Sequence, residues 1–463
     1  MKQKLAIIGL DCASPELVFN EFKDDLPTLS RRGKHGRWGR SKSVTPPITV
    51  PAWSCMFSGR DPGELGVYGF RNRRDFSYEN LSIATADFIH APRLWDILGK
   101  HDYRSIVIGV PQTYPPRPLN GALISGLLTP GTENRFTHPP TLKQEILARF
   151  HDYQFDVADF RSMGLEKFLK QLYSMTRNRF DVAKYLTDRY EWDSFFMVEI
   201  GLDRLQHVLW QYMDESHPLY VPNHPYSNAI RKYYQFLDQQ IGELISGFSD
   251  DTRVIIVSDH GAQAMQGGFY INEWLIQNDY LTLKNPYPDS PTELIPKMID
   301  WSRTKAWGTG GYYGRIFLNV AGRETEGIIP SDEYESVRNE LKQALSRITV
   351  NKRTILENAV YKPEEIYRDV KNIAPDLMVF FDDLRWRSLG TIGNNVLTSI
   401  SNDIGPDGAN HAWDGIFIHS DGGNKLDGRE IRGMELLDFV PSILQLLGIS
   451  TENLDLSGKV MEI

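Results

Sequence analysis

Three continuous apolar runs in this chain lead directly into aspartates, and that pattern leaves few folds open. Residues 4–10 (KLAIIGL) run into Asp11, residues 194–200 (SFFMVEI) into GLDRLQH, and residues 253–257 (RVIIV) into SDHG. A short run with no polar alternation reads as a strand covered on both faces, which is how strands of a parallel sheet read. Residues 105–110 (SIVIGV, closed by Pro111) and 376–381 (DLMVFF) repeat the pattern. Helical stretches at 141–150, 164–190, 226–248 and 433–447 lie between them. Strands alternating with helices predict an α/β fold: a doubly wound, mainly parallel sheet with helices on both faces and its chemistry at the carboxyl edge.

Residues 269–370 break the alternation. NEWLIQNDYLTLK reads as a helix and a short strand, WGTGGYYGRIFLNVAGRE is glycine-rich and aromatic, and residues 331–346 read as an amphipathic helix capped by Ser331 or Asp332. The predicted division is a catalytic α/β core over 1–268 and 371–463, with a cap inserted at 269–370. Residues 112–140, rich in Pro, Gly and Thr, are expected to form a long loop.

The 60 acidic residues outnumber the 51 basic ones, for a net charge of −9, and there is no strong basic run. A nucleic-acid polymer is therefore not an expected partner. A negative protein acting on a phosphate ester has to concentrate positive charge locally, which bound cations do. Two cysteines, Cys12 and Cys55, make no disulfide framework. The first apolar run is too short for a signal-peptide core, and no segment approaches the ~20 apolar residues of a membrane span. A cytoplasmic location is expected by default, and the oligomeric state is open.

Five segments carry candidate chemistry through hard oxygen and imidazole donors: Asp11, Thr49, the Asp203/His207 pair, the Asp259/His260 pair and His411. Thr49 precedes Pro51 in ITVPAWSCMFSG. Proline favours the first helical turn, so Thr49 falls at a helix N-terminus, where free N–H groups and the dipole favour negative charge. As a bare motif it equally reads as an N-cap. Asp203 and His207 are spaced i, i+4, on one helix face; a surface ion pair would look the same. Asp259 and His260 stand adjacent at the end of a buried strand, costly unless solvated or liganded. His411 lies three residues before an Asp-Gly turn and alone says little.

Together these segments resemble the alkaline phosphatase superfamily, and within it the type I phosphodiesterase and nucleotide pyrophosphatase branch. The resemblance runs through IIGLD, ITVPAWSCMFSGRDPGELGV, GLDRLQH, VSDHG, HAWDGIFI and LLDFVPSILQLLGI. It implies two divalent metal ions, zinc first and manganese as the alternative. Asp203, His207 and His411 would hold one. Asp11, Asp259 and His260 would hold the other, with Thr49 as a further ligand. It also implies that Thr49 is the nucleophile and that a phosphothreonine is formed and hydrolysed.

The sequence departs from that branch in one place. An Asn that touches a phosphate oxygen is expected soon after the nucleophile helix, and the nearest, Asn72, is about two residues out of register. Arg60 or Arg71 could serve instead. Trp307, Tyr312 and Tyr313 could wall the leaving group. Cys55 is followed by Met56, Phe57, Ser58 and Gly59, which does not fit the Cys-x-Pro-x-Arg of sulfatases, and Thr49 replaces the serine of the related mutases. The expected activity is a phosphoric ester hydrolase acting on a small-molecule ester, with diesters favoured. Near the ligand segments the cations are few, and Arg204 is expected to point off the ligand face. The alternatives are a phosphomonoesterase, a phosphotransferase or phosphomutase, and a relic that binds a phosphorylated ligand without turnover. A relic would be expected to have lost one of the seven positions.

Overall fold

The computed structural model describes residues 2–350, 354–356, 358–403, 405–422 and 426–463; the remaining positions of the expected core and cap ranges lie outside the described residues. Its centre is a nine-stranded sheet. Five neighbouring strands are parallel, in the order Arg253–Val257, Leu5–Leu10, Ser194–Glu199, Ser105–Ile108, Gly121–Ile124. Every residue of Leu5–Leu10 and Ser194–Glu199 is buried, the condition the unalternating sequence foretold. Asp414–Ser420 runs antiparallel beside Arg253–Val257, and Arg37–Lys42 beside it in turn. The helices Pro27–Lys34, Leu165–Arg189, Gly201–Met213 and Ala229–Ser246 pack with one another, and Thr49–Ser58 packs with Phe439–Leu446. No helix among the described residues is long and apolar enough to cross a membrane.

Three expectations need correction. The segment 112–140 is not all loop: Gly121–Ile124 extends the parallel sheet beside Ser105–Ile108, because four apolar residues suffice for a short strand flanked by glycine and proline. The segment 376–381 does form a strand, Leu377–Phe380, but in a second sheet. There it pairs antiparallel with Gly314–Leu318 and Ala359–Tyr361, while Ala306–Thr309 completes the four strands. The amphipathic helix runs Tyr334–Ser346, with Glu333 at its N-cap and no side-chain cap from Ser331 or Asp332.

This second sheet and its helix have their own apolar core, from Phe269 and Trp274 to Val379 and Phe381. The packing unit therefore continues past residue 370. It is joined to the main sheet by a short antiparallel ribbon of Gly261–Ala264 with Ala409–Ala412. His411, expected before a turn, sits in this ribbon opposite Ala262, and the following Asp-Gly opens the strand Asp414–Ser420.

Candidate metal centre and nucleophile

The register of the central strands assembles the site. Leu10 pairs with Glu199 and Gly9 with Val257, so Asp11, the helix Gly201–Met213 and the Ser258–His260 segment emerge side by side at one sheet edge. The turn after Leu10 is held in a left-handed backbone at Cys12 (φ 68°), unusual for a residue with a side chain. Three bonds hold it there: Cys12 N–H donates to Asp259 Oδ1 at 3.2 Å, Cys12 Sγ–H donates to the Gly261 carbonyl, and Gln206 Nε2 donates to the Cys12 carbonyl at 2.7 Å. Gly9 is required because the Trp53 ring lies where a Cβ would be, 2.4 Å away. That same indole donates its N–H to Asp11 Oδ2 at 2.7 Å.

Glu199 fixes the start of the Asp203 helix. Its carboxylate accepts from Gly201 N–H (2.9 Å), Thr176 Oγ1 (3.0 Å) and Arg179 Nη1 (3.1 Å), all buried. One turn on, Asp203 Oδ1 lies 3.2 Å from His207 Nε2 and 3.4 Å from His411 Nε2. His260 Nε2 lies 3.1 Å from Asp259 Oδ2 and 3.8 Å from Asp11 Oδ1, and the His260 and His411 rings stack with centroids 3.8 Å apart. Thr49, first residue of the wholly buried helix Thr49–Ser58, points its Oγ1 to 3.4 Å from Asp11 Oδ1 and 3.5 Å from His260 Nε2. All seven candidates are nearly or fully buried, at 2% exposure or less.

The donor set fits cations. Each histidine uses Nδ1 outward: His207 toward Asp407 Oδ1 (2.8 Å) and the Ala409 carbonyl, His260 toward the Gly261 carbonyl (3.1 Å), His411 toward the Pro47 carbonyl (2.7 Å). With Nδ1 donating outward, the Nε2 atoms of all three face one small space already occupied by three carboxylates. Two groups each offer ligand atoms within 4.8 Å of one another: Asp203, His260 and His411, and Asp11, Asp259 and His260. Asp203 Oδ1 and Asp259 Oδ2 are buried with no hydrogen bond, a costly state that a divalent cation removes. Burial, aggravated by the charge of Asp203, pushes the Asp11 carboxyl well above its ordinary value. Burial and then Asp11 do the same to Asp259. Burial pushes His260 and His411 down, toward the neutral ligand form, whereas at His207 burial is outweighed by Asp407, Tyr312 and Asp203, which push it up.

The weaker candidates separate. Arg60 sits at the far end of the nucleophile helix, roughly 15 Å away by helical rise, and pairs with Glu64 and Asp455. Asn72 closes its own turn, accepting from Tyr68 N–H and donating to the Gly69 carbonyl. Tyr313 turns away: its hydroxyl donates to the Tyr68 carbonyl and its ring stacks on Phe380. Tyr312 is at the site, its ring 3.9 Å from that of His411 and its hydroxyl hydrogen-bonded to His207 Nε2 at 3.3 Å. Trp307 and Arg71 line an adjoining cleft. Arg204, expected to point off the ligand face, bends back onto Asp203 and is held there by Asp156 at 2.8 and 2.9 Å.

Asp407 was not anticipated. It lies four residues before His411 in a glycine-flanked stretch that reads as a turn. Its Oδ2 accepts from Arg161 (2.9 Å) and Arg387 (2.8 Å), and its Oδ1 orients His207. Burial alone would raise its carboxyl, but His207 and the two arginines outweigh that and hold it well below the carboxylate range. Asp407→Asn is expected to weaken divalent-metal binding about tenfold to a hundredfold, the usual cost of losing a carboxylate that orients a ligand histidine; metal titration of the purified variant measures it.

Comparison with known proteins gives the family and the fold. A family model described as type I phosphodiesterase / nucleotide pyrophosphatase matches residues 5–414. No curated protein sequence matches the chain. Among solved structures, human ectonucleotide pyrophosphatase/phosphodiesterase 5 is similar over 97% of this chain and 96% of its own, at 14% identity and a TM-score of 0.57. Phosphonoacetate hydrolase from Sinorhizobium meliloti 1021, in complex with phosphonoformate, is similar over 96% of each chain, at 13% identity and a TM-score of 0.60. At these identities the likeness is one of fold, with the same large, mainly parallel sheet.

Proposed function

The chain belongs to the type I phosphodiesterase / nucleotide pyrophosphatase family of phosphoric ester hydrolases, and from that premise we propose that it cleaves a small-molecule phosphodiester through covalent attack by Thr49. The observation that carries this reading is the place of the Thr49 hydroxyl, at a buried helix N-terminus and within 3.5 Å of both Asp11 and His260. Asp203, His207 and His411 would hold one divalent cation, and Asp11, Asp259 and His260 the other, with zinc and manganese both suited to these donors. When bound, the cations supply acidity to the attacking hydroxyl and charge compensation to the phosphoryl and leaving oxygens.

The protein's own residues do the rest. The hydrogen bond from Thr49 Oγ1 to Asp11 sets the hydroxyl rotamer. The Thr49 and Val50 N–H groups, in the first turn of the helix, face the negative phosphoryl group. Attack makes the Oγ–P bond and expels one alcohol; water then cleaves that bond, releasing the phosphate monoester and restoring threonine. The Tyr312 hydroxyl, 3.3 Å from His207 Nε2, is placed where it could donate to a phosphoryl oxygen.

Arg204 adds a cation that the sequence reading placed elsewhere, yet Asp203 and Asp156 neutralise it. The site therefore keeps the low positive charge suited to a singly charged diester. A bis-aryl phosphate and an aryl nucleotide are expected to exceed the matching aryl monophosphate by tenfold or more in kcat/KM, on protein of measured metal content. A tenfold preference the other way, about 1.4 kcal/mol in transition-state binding, would make it a monoesterase.

A further inference from the structure

A cleft of about 810 Å³ lies between the second sheet and the Arg71–Ile83 hairpin. Gly310, Gly311 and Arg387 are among its lining residues. The next residue, Tyr312, stacks on His411, and Arg387 holds Asp407, which holds His207. The cleft thus runs up to residues in contact with the catalytic centre.

One wall is aromatic. Tyr78 stacks face to face on Trp301 at 3.6 Å, with Trp307 edge-on to both. The charge of the cleft is unusual. Arg387 is neutralised by Asp407, and Arg73, behind the wall, by Glu324. Arg315 and Arg71 lie together, with Arg315 Nη1 donating to the Arg71 carbonyl. Among the described residues neither has a carboxylate within the 4.0 Å of an ion pair. Burial, partly offset by Tyr313, and then the charge of Arg71 push the Arg315 guanidinium down; no acidic group counters them. Of the acids lining the cleft, Asp403 is taken up by the Gly390 N–H, and Glu79 and Glu293 are solvent-exposed. Two neighbouring cations without a counter-ion, Arg315 half-buried and Arg71 exposed, repel one another, and a bound anion relieves that repulsion.

We propose that this cleft receives the second arm of the substrate, and that Arg71 and Arg315 bind a negative group at its end, a carboxylate or a phosphate, with the aromatic wall covering the apolar part between. The proposal rests on the phosphodiesterase reading of the adjoining site and names its substrate class: a diester with an anion on one arm. These cations come from the second packing unit and a distant hairpin, so a count of cations near the ligand segments cannot find them.

The test uses non-hydrolysable phosphinates, in which carbon replaces both ester oxygens, with one arm ending in a carboxylate, a phosphate or a neutral carboxamide. Binding to the metal-loaded protein is followed by tryptophan fluorescence, to which Trp301 and Trp307 report. An anionic arm is expected to bind at least tenfold more tightly than the carboxamide, and the tighter of the two anions identifies the group. That ratio should fall below twofold in Arg71→Ala and in Arg315→Ala and recover in part in Arg315→Lys. Should Arg315→Ala not fold, the exposed Arg71→Ala and Arg315→Lys carry the test. Equal binding of all three arms, or a ratio that survives both substitutions, overturns the subsite. Turnover of the carboxamide-armed diester is read separately: its absence counts against the hydrolase reading, whatever the binding ratios.

Discussion

Replacing Thr49 with alanine is expected to lower kcat/KM by at least ~10³-fold, or roughly 4 kcal/mol in transition-state stabilisation, while metal content and thermal stability stay near wild type. The hydroxyl contributes little to folding: its hydrogen bond to Asp11 is long at 3.4 Å, and Asp11 keeps its stronger bond from Trp53 at 2.7 Å. The methyl group of alanine leaves the helix backbone and its N-terminal N–H groups in place. What goes is the oxygen proposed to bond to phosphorus. Thr49→Ser should retain a measurable fraction of activity, reduced because serine has more rotamers to sample at this position. Rapid quench with a labelled diester should trap phosphate on wild type and none on Thr49→Ala. Full activity in the alanine variant would mean that water attacks directly.

His411→Ala is the second large effect: loss of one of two bound ions and a fall in activity to below about 1%, in a protein that still folds. The His411 ring stacks between His260 and Tyr312 and presents Nε2 to Asp203 and His207. Removing a buried ligand from a set this compact leaves Asp203 Oδ1, already without a hydrogen bond, short of a further neighbour. Elemental analysis of the purified variant gives the stoichiometry, and two ions retained would show that His411 holds neither. Chelation of the wild type should abolish turnover, with recovery on adding back zinc or manganese.

The candidate ligand segments stood out because of an energetic conflict visible in the letters themselves. A strand buried on both faces cannot end on Asp11, or on adjacent Asp259 and His260, without something to compensate those groups. The same logic said nothing about which sheet an apolar run joins. DLMVFF has the composition of a central strand, yet Leu377–Phe380 pairs with the aromatic hairpin instead, since both sheets bury it fully. Gly121–Ile124 was hidden among prolines and glycines. Asp407 was hidden because its importance lies in what it touches. An aspartate between glycines reads as a turn, and only folding brings it against His207, Arg161 and Arg387. Arg315 and Arg71 could not be paired from sequence for the same reason.

The ribbon of Gly261–Ala264 with Ala409–Ala412 also bears on how this molecule changes over evolutionary time. Ala264 stands opposite Ala409, so the whole segment 265–408 departs from and returns to the same point, and His260 and His411 lie on or beside the two strands of that clasp. A replacement of almost any length can be grafted between these strands without shifting either histidine, because the ends it must join are already side by side. A graft that keeps Asp407, which orients His207, and Tyr312, which stacks on His411, can thus exchange the outer part of this segment while the residues proposed to break the bond are inherited. Chimaeras that trade this segment between relatives should keep their chemistry and take on the donor's substrate preference.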